Sequence, residues 1–355
     1  MLQGIRIIDL TSVVFGPYAT QILADLGAEV IKVESLEGDR ARLLSAGNVS
    51  ADMSPQFMAI NRGKKSAALD LKQPEDMEVL RGLIAGADVF IHNVRGRAAE
   101  RLGLGYAAVR ALKDDIVYVH CVGFGQSGPY ADLQAYDDVI QAASGTTTLL
   151  PRVDGNERPR YLPSLIADKV AGLHAAYAVL AAVIHKLRTG RGQSVEVPMF
   201  ESFTSFMLLE HLGGMTFDPP NGPVGYARQI SPERQPFPTK DGYVSMVVYT
   251  DDTLPVAFRV LGDTDFMQDE RFSTRALRWR HIAAIYTRIA ELTAGFTTAE
   301  LLARLHAAQI PAQAVRDLAD MMEDPHLQNV GFFKRREHPS EGAYYEMQPP
   351  VRFSD

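Results

Sequence analysis

Residues 4–34 read GIRIIDLTSVVFGPYATQILADLGAEVIKVE, and the order of periodicities in this stretch decides the fold. Ile5 to Leu10 is a short apolar run suited to a buried strand. Ala19 to Leu26 has the makings of a helix once the Gly16-Pro17 break is passed, and Glu29 to Val33 is a second strand. The alternation continues outward. Pro74 opens a helix through Ala85, with Glu75, Asp76 and Glu78 complementing its dipole. Asp88 to Val94 and Ile116 to Val122 are β-rich runs separated by a helical stretch near Tyr106 to Lys113. Strands joined through helices imply a parallel sheet covered on both faces, an open α/β domain.

Further along, Asp168 to His185 forms one long helix, Ser194 to Met199 a strand and Phe200 to Leu212 another helix. Gly213 to Pro238 then holds four Gly and six Pro with little apolar periodicity, which reads as a linker or long functional loop. A strand from Tyr243 to Tyr249 and helices at Leu254–Leu261, His281–Thr293 and Thr298–Ala308 make a second, smaller α/β unit. The expected division is a large domain over 1–212, a linker over 213–238, a small domain over 239–323 and a return to the large domain over 324–355.

The chain has 355 residues, 46% of them hydrophobic and 22% charged, enough for a packed core in about two domains. With 36 Lys+Arg against 43 Asp+Glu the formal net charge is −7, which argues against nucleic acid as a partner. The single Cys121 excludes a disulfide scaffold and fits a reducing cytoplasm. The longest apolar stretch, Val170 to Ile184, contains His174 and falls short of the about 20 residues a membrane span needs, so no membrane partner is expected. Nine histidines without an HExxH pairing point to no metal.

Three motifs invite chemistry. Gly123-Phe-Gly125-Gln-Ser-Gly128 matches GxGxxG, but Pro129 and Tyr130 follow where a dinucleotide fingerprint needs a helix, so close backbone approach or positive φ is the expected use of its glycines. Asp168, in Pro163-Ser-Leu-Ile-Ala-Asp168, opens the long helix. It either complements the helix dipole or serves as a nucleophile or base. Tyr136-Asp137-Asp138 precedes another helix, with an N-cap Asp as the plain reading. Finally, Lys32, Arg40, Arg42, Arg62, Lys64, Lys65, Lys72, Arg95, Arg97 and Arg101 concentrate cations in the first half, a supply for a polyphosphate.

Taken together, Gly4–Glu34, NRGKKSAALDLK (Asn61–Lys72), ADVFIHNVRGRAAERLGL (Ala87–Leu104), VGFGQSGPYADLQAYDDVIQAASG (Val122–Gly145), RTGRGQSVEVPMFES (Arg188–Ser202) and DPHLQNVGFF (Asp324–Phe333) resemble the class III coenzyme A transferases. The blocks are collinear along nearly the whole chain. The resemblance implies a large Rossmann-like domain with a parallel sheet, a smaller α/β domain, and a homodimer of interlocked rings. It implies an enzyme moving CoA from an acyl-CoA to a free carboxylic acid, with no tightly bound cofactor and with Asp168 forming a covalent aspartyl intermediate. Carried-over CoA contacts are Val14, Phe15, Gly16, Leu69, Lys72, Asn93, Ala98, Arg101 and Tyr136.

Departures from the family pattern are equally specific. Val14 replaces a glutamine found in formyl-CoA transferase. Ser35 replaces an arginine after the KVE segment, for which Arg40 or Arg42 is the expected substitute. A glycine-only loop is missing, with Gly213-Gly214 or Asn221-Gly222 as candidates to replace it. The α-methylacyl-CoA racemases share the fold and are the alternative, with a histidine where this chain has Tyr136; an NAD-dependent oxidoreductase is the remote alternative.

Overall fold

A computed structural model describes residues 1–44, 49–50, 52–248 and 250–354. In chain order the main elements are β1 (Arg6–Leu10), α1 (Phe15–Asp25), β2 (Glu29–Glu34), α2 (Pro55–Asn61), β3 (Lys65–Ala68), α3 (Pro74–Ala85) and β4 (Val89–His92). There follow α4 (Gly96–Arg101), α5 (Tyr106–Leu112), β5 (Val117–Val122), α6 (Asp137–Ala143), α7 (Leu149–Asp154), α8 (Ile166–Thr189), β6 (Gln193–Pro198) and α9 (Met199–His211). The chain divides into two compact units. The first comprises residues 1–148, 160–209 and 328–355, and the second residues 149–159 and 210–327.

The first unit is built on a six-stranded sheet in the order β3-β2-β1-β4-β5-β6, and every pairing in it is parallel. The inner strands β1, β2, β4 and β5 read as apolar runs because both faces are buried. On one face Ile7, Val89, Ile91, Val117 and Val119 pack with Leu23 of α1 and with Val170, Ala175, Val179 and Val183 of α8. On the other, Ile8, Val33, Phe90 and Tyr118 pack with Met77, Leu80 and Ile84 of α3 and with Val109 of α5. The strand order reverses between β1 and β4. In open sheets of this kind ligands settle outside the carboxyl ends of the strands at that reversal.

α8 is long and apolar enough to cross a membrane by length and composition, yet its Val170–Val183 side belongs to the core just described. Its other side is a stripe of exposed Leu173, Tyr177, Ile184 and Leu187. These positions fall within an arc of about 80° at 100° per residue.

Two local expectations need correcting. α1 starts at Phe15 and runs through Gly16-Pro17, where a break was expected. Pro17 is in the first turn, where its missing N–H has no intrahelical partner to lose. A terminal hairpin, β10 (Phe333–His338) paired antiparallel with β11 (Gly342–Met347), was not foreseen at all.

The second unit centres on a three-stranded antiparallel sheet of β7 (Phe237–Pro238), β8 (Tyr243–Met246) and β9 (Ala312–Ala314). Its core joins Val244 and Met246 to Leu254, Phe258, Ile285, Ile289, Leu301 and Leu305, which come from α10 (Thr253–Leu261), α12 (Ile282–Thr293) and α13 (Thr298–Ala307); α11 (Arg275–Arg280) and α14 (Pro325–Asn329) are short. The strand expected to reach Tyr249 stops at Met246, and Tyr249 itself lies outside the described residues. Gly213-Gly214 and Asn221-Gly222 fold onto each other: a Cβ on Gly214 would meet the Gly222 Cα at 2.3 Å, and the Gly214 N–H donates to Pro223 O at 3.2 Å. These glycines serve local backbone packing.

Candidate active site

The turn after β1 lies at the reversal, and every strand end around it helps hold its backbone. The Thr11 N–H donates to Asp9 Oδ1 at 2.9 Å, and Thr11 O accepts from Lys32 Nζ at 2.7 Å. Ser12 is held at both ends by the Asn93 side chain, its N–H donating to Oδ1 at 3.1 Å and its carbonyl accepting from Nδ2 at 3.0 Å. The Val13 N–H donates to Asp39 Oδ1 at 3.0 Å. Val13 has φ +71, a conformation that is costly for a β-branched residue and is maintained only where surrounding bonds over-determine it. Here they do.

Those bonds rest on two buried ion pairs, Lys32–Asp39 at 2.8 Å and Lys64–Asp9 at 3.2 Å. Burial pushes the Lys64 ammonium down to about 8, with Asp9 opposing the shift. Burial works to raise the Asp9 carboxyl, but Lys64, Lys32 and two threonine hydroxyls bring it below its ordinary value. The first turn of α1, Val14-Phe15-Gly16, continues directly from this turn, so its N–H groups stand at the reversal. Val14 and Phe15 are themselves buried, so the backbone is what this turn offers a ligand.

Asp168 enters the same corner on α8. Its helix meets α1 closely because residue 172 is glycine: a Cβ there would stand 3.0 Å from Phe15 O and 2.9 Å from Tyr18 Cδ1. One turn upstream, the Asp168 N–H donates to Asp137 Oδ2 at 3.1 Å. The other oxygen of Asp137 accepts from Gln141 Nε2 at 2.6 Å. Gln141 is fully buried and also accepts from the Leu162 N–H at 2.9 Å, tying the approach to α8 onto α6. The Asp168 residue is 8% exposed. Among the described residues its carboxylate has neither a hydrogen bond nor a cation. Burial, with the Asp137 carboxylate adding to it, pushes the Asp168 carboxyl up to about 7. An Asp serving only to complement the helix dipole has no need of such a site; a buried, unpartnered carboxylate is a candidate reactive one.

The cations sort into two classes. Lys32, Lys64, Arg42, Arg62, Lys65 and Arg97 are paired, with Asp39, Asp9, Glu34, Asp25, Glu29 and Asp132 respectively. Arg40, Lys72, Arg95 and Arg101 are exposed, and no carboxylate among the described residues pairs with them. Each follows the carboxyl end of β2, β3 or β4. Of the two candidates to replace the missing arginine, Arg42 is engaged, holding Glu34 through Nε and Nη2 at 2.8 and 2.9 Å.

The remaining sequence-predicted residues fall along the same edge. Leu69 is in the core beneath it, its N–H donating to Glu34 O at 2.9 Å. Ala98 is half-buried on α4, and Tyr136, the residue before α6, is 55% exposed. Asn93, expected to bond a cofactor, has its side chain engaged with Ser12 and contributes by holding the turn. Val13, Asp39, Gln141 and Gly172 went unread as site residues. Only Gly172 left a trace in the sequence, as a lone glycine within a long apolar helix.

The GxGxxG loop leaves β5 without opening a helix, since α6 begins only at Asp137. None of its three glycines has positive φ. Close approach is what they supply, a Cβ on Gly123 meeting Ala135 Cβ at 2.3 Å. The Gly125 and Gln126 N–H groups donate to Glu201 and Glu196 at 3.0 and 3.1 Å, so no pyrophosphate cradle is offered there. Among the described residues no three His, Cys, Asp or Glu side chains cluster as metal ligands would.

The chain is similar to known proteins over nearly its whole length. The family model described as CoA-transferase family III matches residues 2–355. A succinate–glutarate CoA-transferase of Agrobacterium fabrum is 33% identical over 336 residues, covering 93% of this chain and 84% of that protein. A formyl-CoA:oxalate CoA-transferase of Streptomyces avermitilis is 30% identical over 380 residues, covering 100% of this chain and 90% of that one. The crystal structure of a CAIB/BAIF family protein from Brucella suis superposes with a TM-score of 0.82 at 30% identity, covering 99% of this chain and 92% of that one.

Proposed function

The chain belongs to CoA-transferase family III, and on that premise we propose that it moves CoA from an acyl-CoA donor to a small carboxylic acid through a covalent intermediate on Asp168. The observation that carries the reading is the state of that side chain: buried, without a partner, and raised toward neutrality. A carboxylate stripped of water and of counter-charge is a strong nucleophile, and a near-neutral pKa leaves a large ionised fraction at physiological pH.

In the proposed sequence, an Asp168 oxygen attacks the thioester carbonyl and the C–S bond breaks, giving a mixed anhydride and CoA thiolate. The thiolate attacks the aspartyl carbonyl, releasing the donor acid and leaving an aspartyl-CoA thioester. The acceptor carboxylate attacks that carbonyl, expelling the thiolate and forming a second anhydride. The thiolate then takes the acceptor acyl group, and Asp168 returns as a carboxylate. Thioesters and anhydrides have similar acyl-transfer potential, so no step is steeply uphill. In this scheme the first turn of α1 and the free cations along β2, β3 and β4 bind CoA, and Asp137 with Gln141 holds the nucleophile's backbone.

Racemisation instead requires a base on each face of the α-carbon. Tyr136 stands where the racemases carry the histidine that serves as one of these bases, which is why transfer is the reading preferred here.

Two relatives are named for succinate with glutarate and for formyl-CoA with oxalate. Short-chain acids of that kind are therefore the proposed acceptors. A mass-spectrometric screen of CoA exchange between acyl-CoAs and free acids, including those pairs, tests the reading. Transfer in at least one pair is expected, and CoA binding without transfer in any would defeat it. The exposed Leu173–Leu187 stripe on α8 supports the further proposal of an interlocked homodimer. Light scattering at micromolar concentration should give twice the chain mass, and a monomer there would overturn it.

A further inference from the structure

Resting on that reading of CoA as the substrate, we infer that His120 is a positioning residue of the site, holding the turn after β4 against the loop after β5 through the Val94 carbonyl. β4 and β5 pair in parallel, with His92 opposite His120 at their carboxyl ends. Both side chains stand on the α3 and α5 face of the sheet, two positions beyond Phe90 and Tyr118. Their rings stack with centroids 4.4 Å apart. Hydrogen bonding gives each a separate task. The Tyr118 hydroxyl donates to Leu104 O at 3.1 Å and so accepts from His92 Nε2 at 2.6 Å. His92, fully buried, is thereby engaged within the core. His120 Nε2 stands 2.9 Å from Val94 O, and a carbonyl only accepts, so this nitrogen carries the proton. Burial, with His120 adding to it, pushes His92 down to about 3. Burial lowers His120 as well, with Val94 O and Glu196 opposing, so the stacked rings are two neutral imidazoles.

Several parts of the site meet at the Val94 carbonyl. Asn93, the residue before it, grips the Ser12 backbone at both ends. Arg95 and Arg101, the cations without carboxylate partners after β4, follow it on the same turn and on α4. Gly96 lets this turn lie close on what is beneath it: a Cβ there would stand 3.1 Å from Gln126 Oε1 and 3.8 Å from His120 Cε1. Gln126 belongs to the glycine loop after β5. Its amide donates to Phe124 O and Ala131 O at 3.1 and 3.3 Å, and its N–H to Glu196 at 3.1 Å. Glu196 is the residue opposite His120 on β6. The loop runs on to Tyr136 and to Asp137, whose carboxylate takes the Asp168 N–H. His120 thus stands where the cation-bearing turn meets the loop that leads to the nucleophile's support. Without its N–H the Val94 carbonyl loses that partner, and the seating of Asn93, Arg95 and Arg101 loosens.

Calorimetric titration of the intact protein with CoA, run beside urea unfolding, tests this. Glutamine can place an amide N–H where the histidine Nε2 stands, and asparagine presents the same amide one bond short. Phenylalanine keeps the ring without any donor. His120→Asn and His120→Phe should each weaken CoA binding about tenfold, the scale of one hydrogen bond's net contribution. His120→Gln should stay within about twofold of wild type. Tyr118→Phe, which removes the hydroxyl that His92 bonds, should lower the unfolding midpoint and leave CoA affinity unchanged. The two amide variants are polar and no larger than histidine, so their comparison decides the matter even where His120→Phe does not fold. CoA affinity unchanged in His120→Asn, or lost as much in His120→Gln, overturns the assignment. An equal loss in Tyr118→Phe would trace the effect to the core and overturn it as well. A wild type that binds no CoA defeats the CoA reading, and this inference with it.

Discussion

Replacing Asp168 with asparagine should stabilise the protein, and by an amount that depends on pH. The side chain is nearly isosteric, the carboxylate it replaces has no bonded partner, and the bond to Asp137 is made by the backbone N–H. In the native chain the carboxyl is raised from 3.8 to about 7. Between those values the folded chain holds a proton that the unfolded chain has released, so stability falls as pH rises. The penalty is absent well below pH 4, about 2 kcal/mol at pH 5 and about 4 kcal/mol by pH 8. Asparagine does not titrate. The stability advantage of Asp168→Asn should therefore grow by roughly 2 to 3 kcal/mol between pH 5 and pH 8. Urea unfolding followed by far-ultraviolet circular dichroism, at matched protein concentration, measures it. Fluorescence is unsuitable, because the sole tryptophan, Trp279, is in the second unit. An advantage that stays flat across that range would refute the claim that a buried carboxylate is being ionised at cost.

The same titration should appear in catalysis: kcat/KM for the first half-reaction should fall tenfold per pH unit below about 7, as the nucleophile is protonated. A profile flat to pH 5.5 would place the ionisation elsewhere. Val13→Gly should leave stability unchanged or raise it by up to about 1 kcal/mol, because glycine adopts φ +71 without the steric penalty that offsets its greater unfolded-state freedom. A loss well beyond that in urea unfolding would show that the side chain matters more than the conformation.

What could be read from the chain alone follows from where its information is local. The strands of the parallel sheet announce themselves because burial on both faces makes them apolar runs. The helix bearing Asp168 is equally plain. β3, with only Lys65–Ala68 and largely exposed side chains, carries no such signal. Neither does the terminal hairpin, whose strand FKRREH is exposed at Lys334 to Glu337. The start of α1 was misplaced because Gly16-Pro17 breaks a helix in most contexts but is accepted in a first turn.

At the site, Asp168 and the cations were visible as residue types, but their states were not. Which arginines are free depends on partners far along the chain, as with Arg42 on Glu34 and Lys64 on Asp9. The left-handed Val13 is set by Asp39 on a neighbouring strand end, and nothing within the TSVVFG stretch reports it.

The central claim is that Asp168 becomes covalently attached to the acyl-transfer chain. Intact protein incubated with acyl-CoA and no acceptor acid, then treated with hydroxylamine and digested, should yield one aspartyl hydroxamate, in the peptide containing Asp168, and none from Asp168→Asn. Turnover with no trappable adduct, or an adduct on another residue that persists in Asp168→Asn, would contradict the account.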